Sequence, residues 1–160
     1  MTEKYIAGFY EVERDIMAPV QQIWQAWTNA DELAAWYGPV GFETPRDSVT
    51  TDARVGGTWS ATVVVPMDGS KHAFNGEYLI VEPLHKLVFT LDDASEGVTT
   101  VLDPDRESEV VTLTFTDLGE AGTHLKFRQD GFLPADQLPL AQAGIESYFD
   151  SLEQYLGVSK

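Results

Sequence analysis

The sequence predicts an α+β domain in which a curved antiparallel sheet of about six or seven strands closes over one long C-terminal helix. Three observations predict it. Residues 136–156 carry one apolar stripe at helical spacing, the stretch from Phe42 to Phe127 alternates apolar and polar side chains in short runs separated by turn residues, and two short tryptophan-bearing helical tracts stand between a first strand and that stretch. A meandering sheet has one face to cover, and the terminal helix is the element large enough to cover it.

The first strand is residues 5–16, where Tyr10, Val12 and Ile16 alternate with Glu11, Glu13 and Asp15. Arg14 falls in the apolar phase, so it is either paired there or lies where the strand reaches the rim. Pro19 opens a helix whose inner side is Val20, Ile23, Trp24 and Trp27. Asn29 or Asp31 caps a second helix carrying Leu33, Trp36 and Tyr37, which stops at Gly38-Pro39.

Strand signals then dominate. A turn at Asp52–Gly57 leads to Trp59, Ala61, Val63 and Val65, alternating with Thr58, Ser60 and Thr62. Pro66-Met67-Asp68-Gly69 is a hairpin connection, and its partner strand sets Phe74, Gly76, Tyr78 and Ile80 against Asn75, Glu77 and Leu79. A strand from Lys86 to Leu91 follows Glu82-Pro83. Residues 92–109 hold seven of the 26 acids and read as an excursion with a short strand at Val98–Leu102. Val111, Leu113 and Phe115, with Leu125 and Phe127, form a last hairpin about Gly119–Gly122.

The terminal helix has Leu138, Ala141, Ile145, Tyr148, Leu152 and Tyr155 on its stripe, widened by Phe149 and Leu156. Asp136 is the expected N-cap, Pro139 is tolerable in the first turn, and Gly157 is the natural stop. The whole order, residues 1–160, is that of a single domain with the helix-grip architecture, which leaves room for a cavity between sheet and helix.

Composition narrows the function classes. Ten basic against 26 acidic residues, net −16, argue against nucleic acid or an anionic membrane as partner. No apolar run approaches the roughly 18 residues of a membrane span, and the opening Met1-Thr2-Glu3-Lys4 lacks a signal-peptide pattern, so the cytoplasm is the expected address. Without cysteine there are no disulfides, thiolate nucleophiles or Cys-ligated zinc.

Several motifs in order resemble the AHSA1-type proteins, relatives of the C-terminal domain of the Hsp90 ATPase activator within the START/Bet v 1-like (SRPBCC) superfamily. They are Arg14-Asp15-Ile16-Met17-Ala18-Pro19, Ile23-Trp24-Gln25-Ala26-Trp27-Thr28, Leu33-Ala34-Ala35-Trp36-Tyr37, Asp52–Trp59, the Asp68-Gly69 turn, Gly76-Glu77-Tyr78 and Pro83–Thr90. The resemblance implies the same helix-grip fold over nearly the whole chain. It leaves function open, because that superfamily includes lipid carriers, hormone receptors, cyclases and co-chaperones. Where the family usually has Gly-Trp in the last helix, this chain has Gly144-Ile145, a loss of bulk that enlarges a cavity unless another aromatic fills it.

The leading functional expectation is non-enzymatic binding of a small hydrophobic molecule by Trp36, Trp59, Phe74, Tyr78, Phe89, Phe115, Phe127, Ile145, Tyr148 and Phe149. Each of these taken singly is better read as core, and the case for a pocket rests on the fold and on two small residues. Gly76 in an apolar strand phase and Gly144 inside a helix signal either close packing or spare room. The alternatives are a chaperone-interacting module, whose namesake also uses a separate N-terminal domain absent from these 160 residues, and a cyclase- or hydrolase-like enzyme, for which Arg14 and Tyr78 are the only nominees. The protein is expected to be a monomer or homodimer.

No cofactor, metal or catalytic residue is expected. His72, His85 and His124 lack metal-ligand spacing, and Asp103-x-Asp105-x-Glu107 lacks the glycine of a calcium loop and contains Pro104. There is neither a Gly-x-Ser-x-Gly elbow nor a phosphate-binding glycine loop. Arg14, Arg46 and Arg54 would bind an acidic head group if they reached the cavity; paired to carboxylates they are structural.

Overall fold

In the computed structural model, which describes residues 5–93, 109–134 and 138–158, seven strands form one antiparallel sheet. They are β1 (Tyr5–Ile16), β2 (Thr50–Thr51), β3 (Thr58–Val64), β4 (Lys71–Glu82), β5 (Lys86–Asp93), β6 (Glu109–Asp117) and β7 (Thr123–Pro134). The order β1-β7-β6-β5-β4-β3-β2 is a meander whose last strand returns beside the first. Helices α1 (Val20–Thr28) and α2 (Ala30–Trp36) follow β1, and α3 (Leu138–Leu156) ends the fold. This is the helix-grip arrangement. The expected strand at Val98–Leu102 and the Asp136 cap lie outside the described residues; the two-residue β2, too short to show alternation, completes the sheet at its other edge.

The alternation of β1 is realised, with Tyr10, Val12 and Ile16 buried. Asn29 settles the second cap: its side-chain oxygen accepts from the Glu32 N–H. Gly157, at φ +73°, closes α3 with Val158 N–H bonding to Glu153 O and Gly157 N–H to Gln154 O, the paired bonds of a Schellman stop.

Two expectations need correction. Ile80 is not inward: a bulge between Tyr78 and Ile80 inserts one residue opposite β5 and reverses the phase, leaving Leu79 and Ile80 both exposed and turning Val81 to the core. Tyr155 is also exposed, because the buried axis of α3 runs through Phe149 and Leu152; its hydroxyl reaches α2 and donates to Glu32.

Arg14 is paired. Its guanidinium binds the carboxylates of Glu146 at 2.7 Å, Asp150 at 2.6 Å and Glu153 at 2.7 Å, one residue of β1 gripping three turns of α3. Two serines fasten the other flank of the helix. Ser147 Oγ accepts from Val40 N–H, and Ser151 Oγ donates to Gly38 O in the loop after α2.

Candidate functional site

Between the sheet and α3 lies a cavity of about 280 Å³. Tyr10 of β1, Phe127 and Gln129 of β7, Glu109 and Val111 of β6, Phe89 and Leu91 of β5 and Phe74 of β4 form its sheet side. Ala141, Ile145, Tyr148 and Phe149 of α3 face them, with Trp27 and Tyr37 at one end. Alternation on five neighbouring strands turns these side chains inward, and the stripe on α3 supplies the roof.

The structure brings together Phe74, Phe89, Phe127, Ile145, Tyr148 and Phe149 of the nominated residues. The other four are not in the wall. Trp36 is buried under α1, its indole N–H donating to Ala26 O and its ring edge-on to Trp27. Phe115 packs edge-on against Trp24. Trp59 and Tyr78 sit beyond Phe89, where only about 10 Å³ is left among Trp27, Leu33, Tyr37, Trp59, Tyr78, Leu87 and Phe89. That space is no larger than a single water needs and cannot hold a ligand.

Gly76 explains why Trp59 is locked. Its ring N–H donates to Thr90 O at 3.0 Å by crossing over Gly76, and a Cβ there would stand 1.7 Å from that carbonyl oxygen. The glycine therefore marks close packing. Gly144 is the opposite case, since a Cβ would meet nothing within 4 Å.

The polar wall residues were missed. Gln129 follows Leu125 and Phe127 in the same inward phase, and Glu109 precedes Val111 in the inward phase of β6. A polar residue continuing an apolar strand phase was the available signal. Gln129 is the register partner of Tyr10, whose hydroxyl donates to its side-chain oxygen at 3.0 Å.

Burial governs the phenols. It pushes Tyr10 above its ordinary value, helped by the neighbouring Glu109 carboxylate. Tyr37, fully enclosed, is raised for the same reason, and the adjacent Tyr148 phenol adds to the shift. Burial takes Tyr148 up to about 12, against a hydrogen bond with Tyr37 that lowers it. All three stay protonated at neutral pH, so they act as hydrogen-bonding groups and none is a ready base. A larger, more open groove of about 610 Å³ lies outside the helix, lined by Arg14, Asp15, Val40, Ser147, Asp150, Glu153 and Gln154. Its arginine already holds two of those carboxylates.

No group of three or more His, Asp or Glu among the described residues is placed to hold a metal ion. No helix there is long and apolar enough to cross a membrane.

A seven-stranded meander gripping a C-terminal helix over an apolar cavity defines a Bet v 1/START-like protein. Residues 17–157 match the family described as Activator of Hsp90 ATPase homolog 1-like protein (AHSA1), and the chain belongs to that family. Protein CV1439 from Chromobacterium violaceum is 26% identical, with 92% of this chain and 96% of that one covered at a TM-score of 0.75. The AHSA1 (SPO3351) protein from Silicibacter pomeroyi is 22% identical, covering 93% and 97% at a TM-score of 0.74, and shares the fold. Protein Ms6760 from Mycobacterium smegmatis, 24% identical over 95% and 92%, has a TM-score of 0.73. No curated protein matches the sequence.

Proposed function

We propose that this protein binds a small hydrophobic molecule, without transforming it, in the cavity between the sheet and α3. The observation that carries the reading is the cavity itself: an apolar wall drawn from five strands and three other segments, with two polar side chains, Glu109 and Gln129, among phenols. A built pocket of that kind has a few polar groups to orient a ligand and apolar burial at roughly 25 cal/mol per Å² to hold it. A ligand on the order of ten non-hydrogen atoms would gain roughly 5–8 kcal/mol, a Kd between hundreds of micromolar and about one micromolar. Mass spectrometry of small molecules released from the purified protein tests the proposal. Recovery of an apolar compound in near-stoichiometric amount supports it. A protein that releases none, and whose melting temperature no apolar aromatic compound raises, would sink it.

The family's description favours a second reading, a module acting on a chaperone ATPase. Under the ligand-binding reading, micromolar protein produces no measurable stimulation of an Hsp90 ATPase. Saturable stimulation would put the chaperone role first.

A further inference from the structure

We infer that the cavity selects an uncharged molecule of roughly ten to thirteen non-hydrogen atoms bearing a hydrogen-bond acceptor, and rejects carboxylate-headed amphiphiles such as fatty acids. The inference rests on the ligand-binding reading above and adds the chemistry of the occupant.

Size comes from volume. About 280 Å³ equals roughly nine waters at 30 Å³ each. Covalently joined atoms pack more closely than liquid water, which allows a bicyclic body and a short substituent.

Charge comes from the wall. Among the described lining residues there is no Lys, Arg or His, and the one formally charged group is the carboxylate of Glu109. The arginines that the sequence offers as head-group binders are engaged elsewhere. Arg14 is held by Glu146, Asp150 and Glu153, Arg46 by Asp31 and Arg54 by Asp52, and none lines the cavity. Arg14 does come within 5.6 Å of the Phe149 ring, which is part of the wall, but its charge is neutralised by Glu146, Asp150 and Glu153. An anion entering this space would lose its water and meet no cation among the described lining residues, an unfavourable exchange.

The acceptor preference comes from Gln129. Its side-chain oxygen is occupied by the Tyr10 hydroxyl, and no described group takes its amide N–H₂. The half-buried amide therefore offers donors at the cavity wall. A carbonyl oxygen on an apolar body satisfies them; a bare hydrocarbon leaves them unmatched.

Three probes with one bicyclic body separate these terms in calorimetric titrations of the intact protein at pH 8: 2-acetonaphthone, naphthalene and 2-naphthoate. The ketone is expected to bind about tenfold more tightly than naphthalene, the gain of one hydrogen bond, and more than tenfold more tightly than the carboxylate. Gln129→Leu should bring the ketone to within about twofold of naphthalene. Gln129→Met serves the same purpose if the branched side chain impairs folding, which a melting curve reports. Naphthoate binding as tightly as the ketone overturns the inference and leaves ligand binding intact. A ketone no tighter than naphthalene overturns the role of Gln129. If none of the three binds, the inference and the reading beneath it both fall.

Discussion

Two glycines separate packed core from spare room. At Gly76 an added methyl would collide with the Thr90 carbonyl at 1.7 Å and the Trp59 ring nitrogen at 2.6 Å, and the carbonyl is backbone that cannot swing aside. Gly76→Ala should therefore destabilise the protein by about 3 kcal/mol or more in denaturant unfolding. Gly144→Ala should stabilise it by about 0.5–1 kcal/mol, because the site is open and alanine is the better helix former. Equal effects at the two positions would contradict the packing described. Both glycines were visible in the sequence as anomalies of phase or propensity. Which one meant contact and which meant space depends on atoms 14 residues away in β5 for Gly76, and no local pattern encodes that.

His124 carries the pH dependence at this scale. Its two ring nitrogens face Asp15 at 2.6 Å and Glu13 at 2.8 Å across the outer face of β1 and β7. The hydrogen bond with Asp15 raises its pKa above the ordinary imidazole value; burial opposes that rise, and the hydrogen bond with Glu13 adds to it. A raised folded pKa means the stabilisation is fully present below the unfolded value of about 6.5 and fades as pH rises through the higher folded value. His124→Gln should therefore lower the melting temperature at pH 5.5 and leave it nearly unchanged at pH 9. A loss of equal size at both pH values would show that the charge is not involved.

At the scale of elements, α3 is held on one flank by ion pairs and on the other by Ser147 and Ser151. Arg14 is the pivot, with its side chain 23% exposed and Glu153 only 12% exposed, while Glu146 and Asp150 are half in solvent. Discounting the two exposed partners, Arg14→Met should cost about 1–2 kcal/mol, since it leaves three carboxylates close together without a cation. Arg14→Lys should recover only part of this, having lost the planar fork. Urea unfolding of both variants checks the order; full stability in Arg14→Met would mean the cluster contributes nothing. The sequence left Arg14 as paired or rim-exposed because strand phase gives direction and says nothing of what lies opposite. The α3 stripe was legible, yet its axis was displaced toward Phe149 and Leu152, as a helix's azimuth is set by the curved sheet beneath it.

For the molecule as a whole, the order of elements and the single covering helix could be read from periodicity, because each strand and helix buries one face. The cavity wall was half legible. Phe74, Phe89, Phe127, Ile145, Tyr148 and Phe149 announced themselves as inward aromatics or aliphatics, while Trp36, Trp59, Tyr78 and Phe115 point inward just as clearly and are packed solid. Inward direction is a local property; empty volume belongs to the assembled fold.

Ligand binding requires that the space beside Ile145 admit a ligand. Ile145→Trp restores the bulk that the family resemblance expects at this position, and the structure puts its side chain in the cavity wall. The measurement is a paired one, thermal unfolding and calorimetric titration with 2-acetonaphthone, on the wild type and this variant. If the space is open, the variant's stability stays within about 1 kcal/mol of the wild type and binding, present in the wild type, is lost, because the indole occupies the space. A variant destabilised by about 3 kcal/mol or more, beside a wild type that binds nothing, would show a solid core and contradict ligand binding.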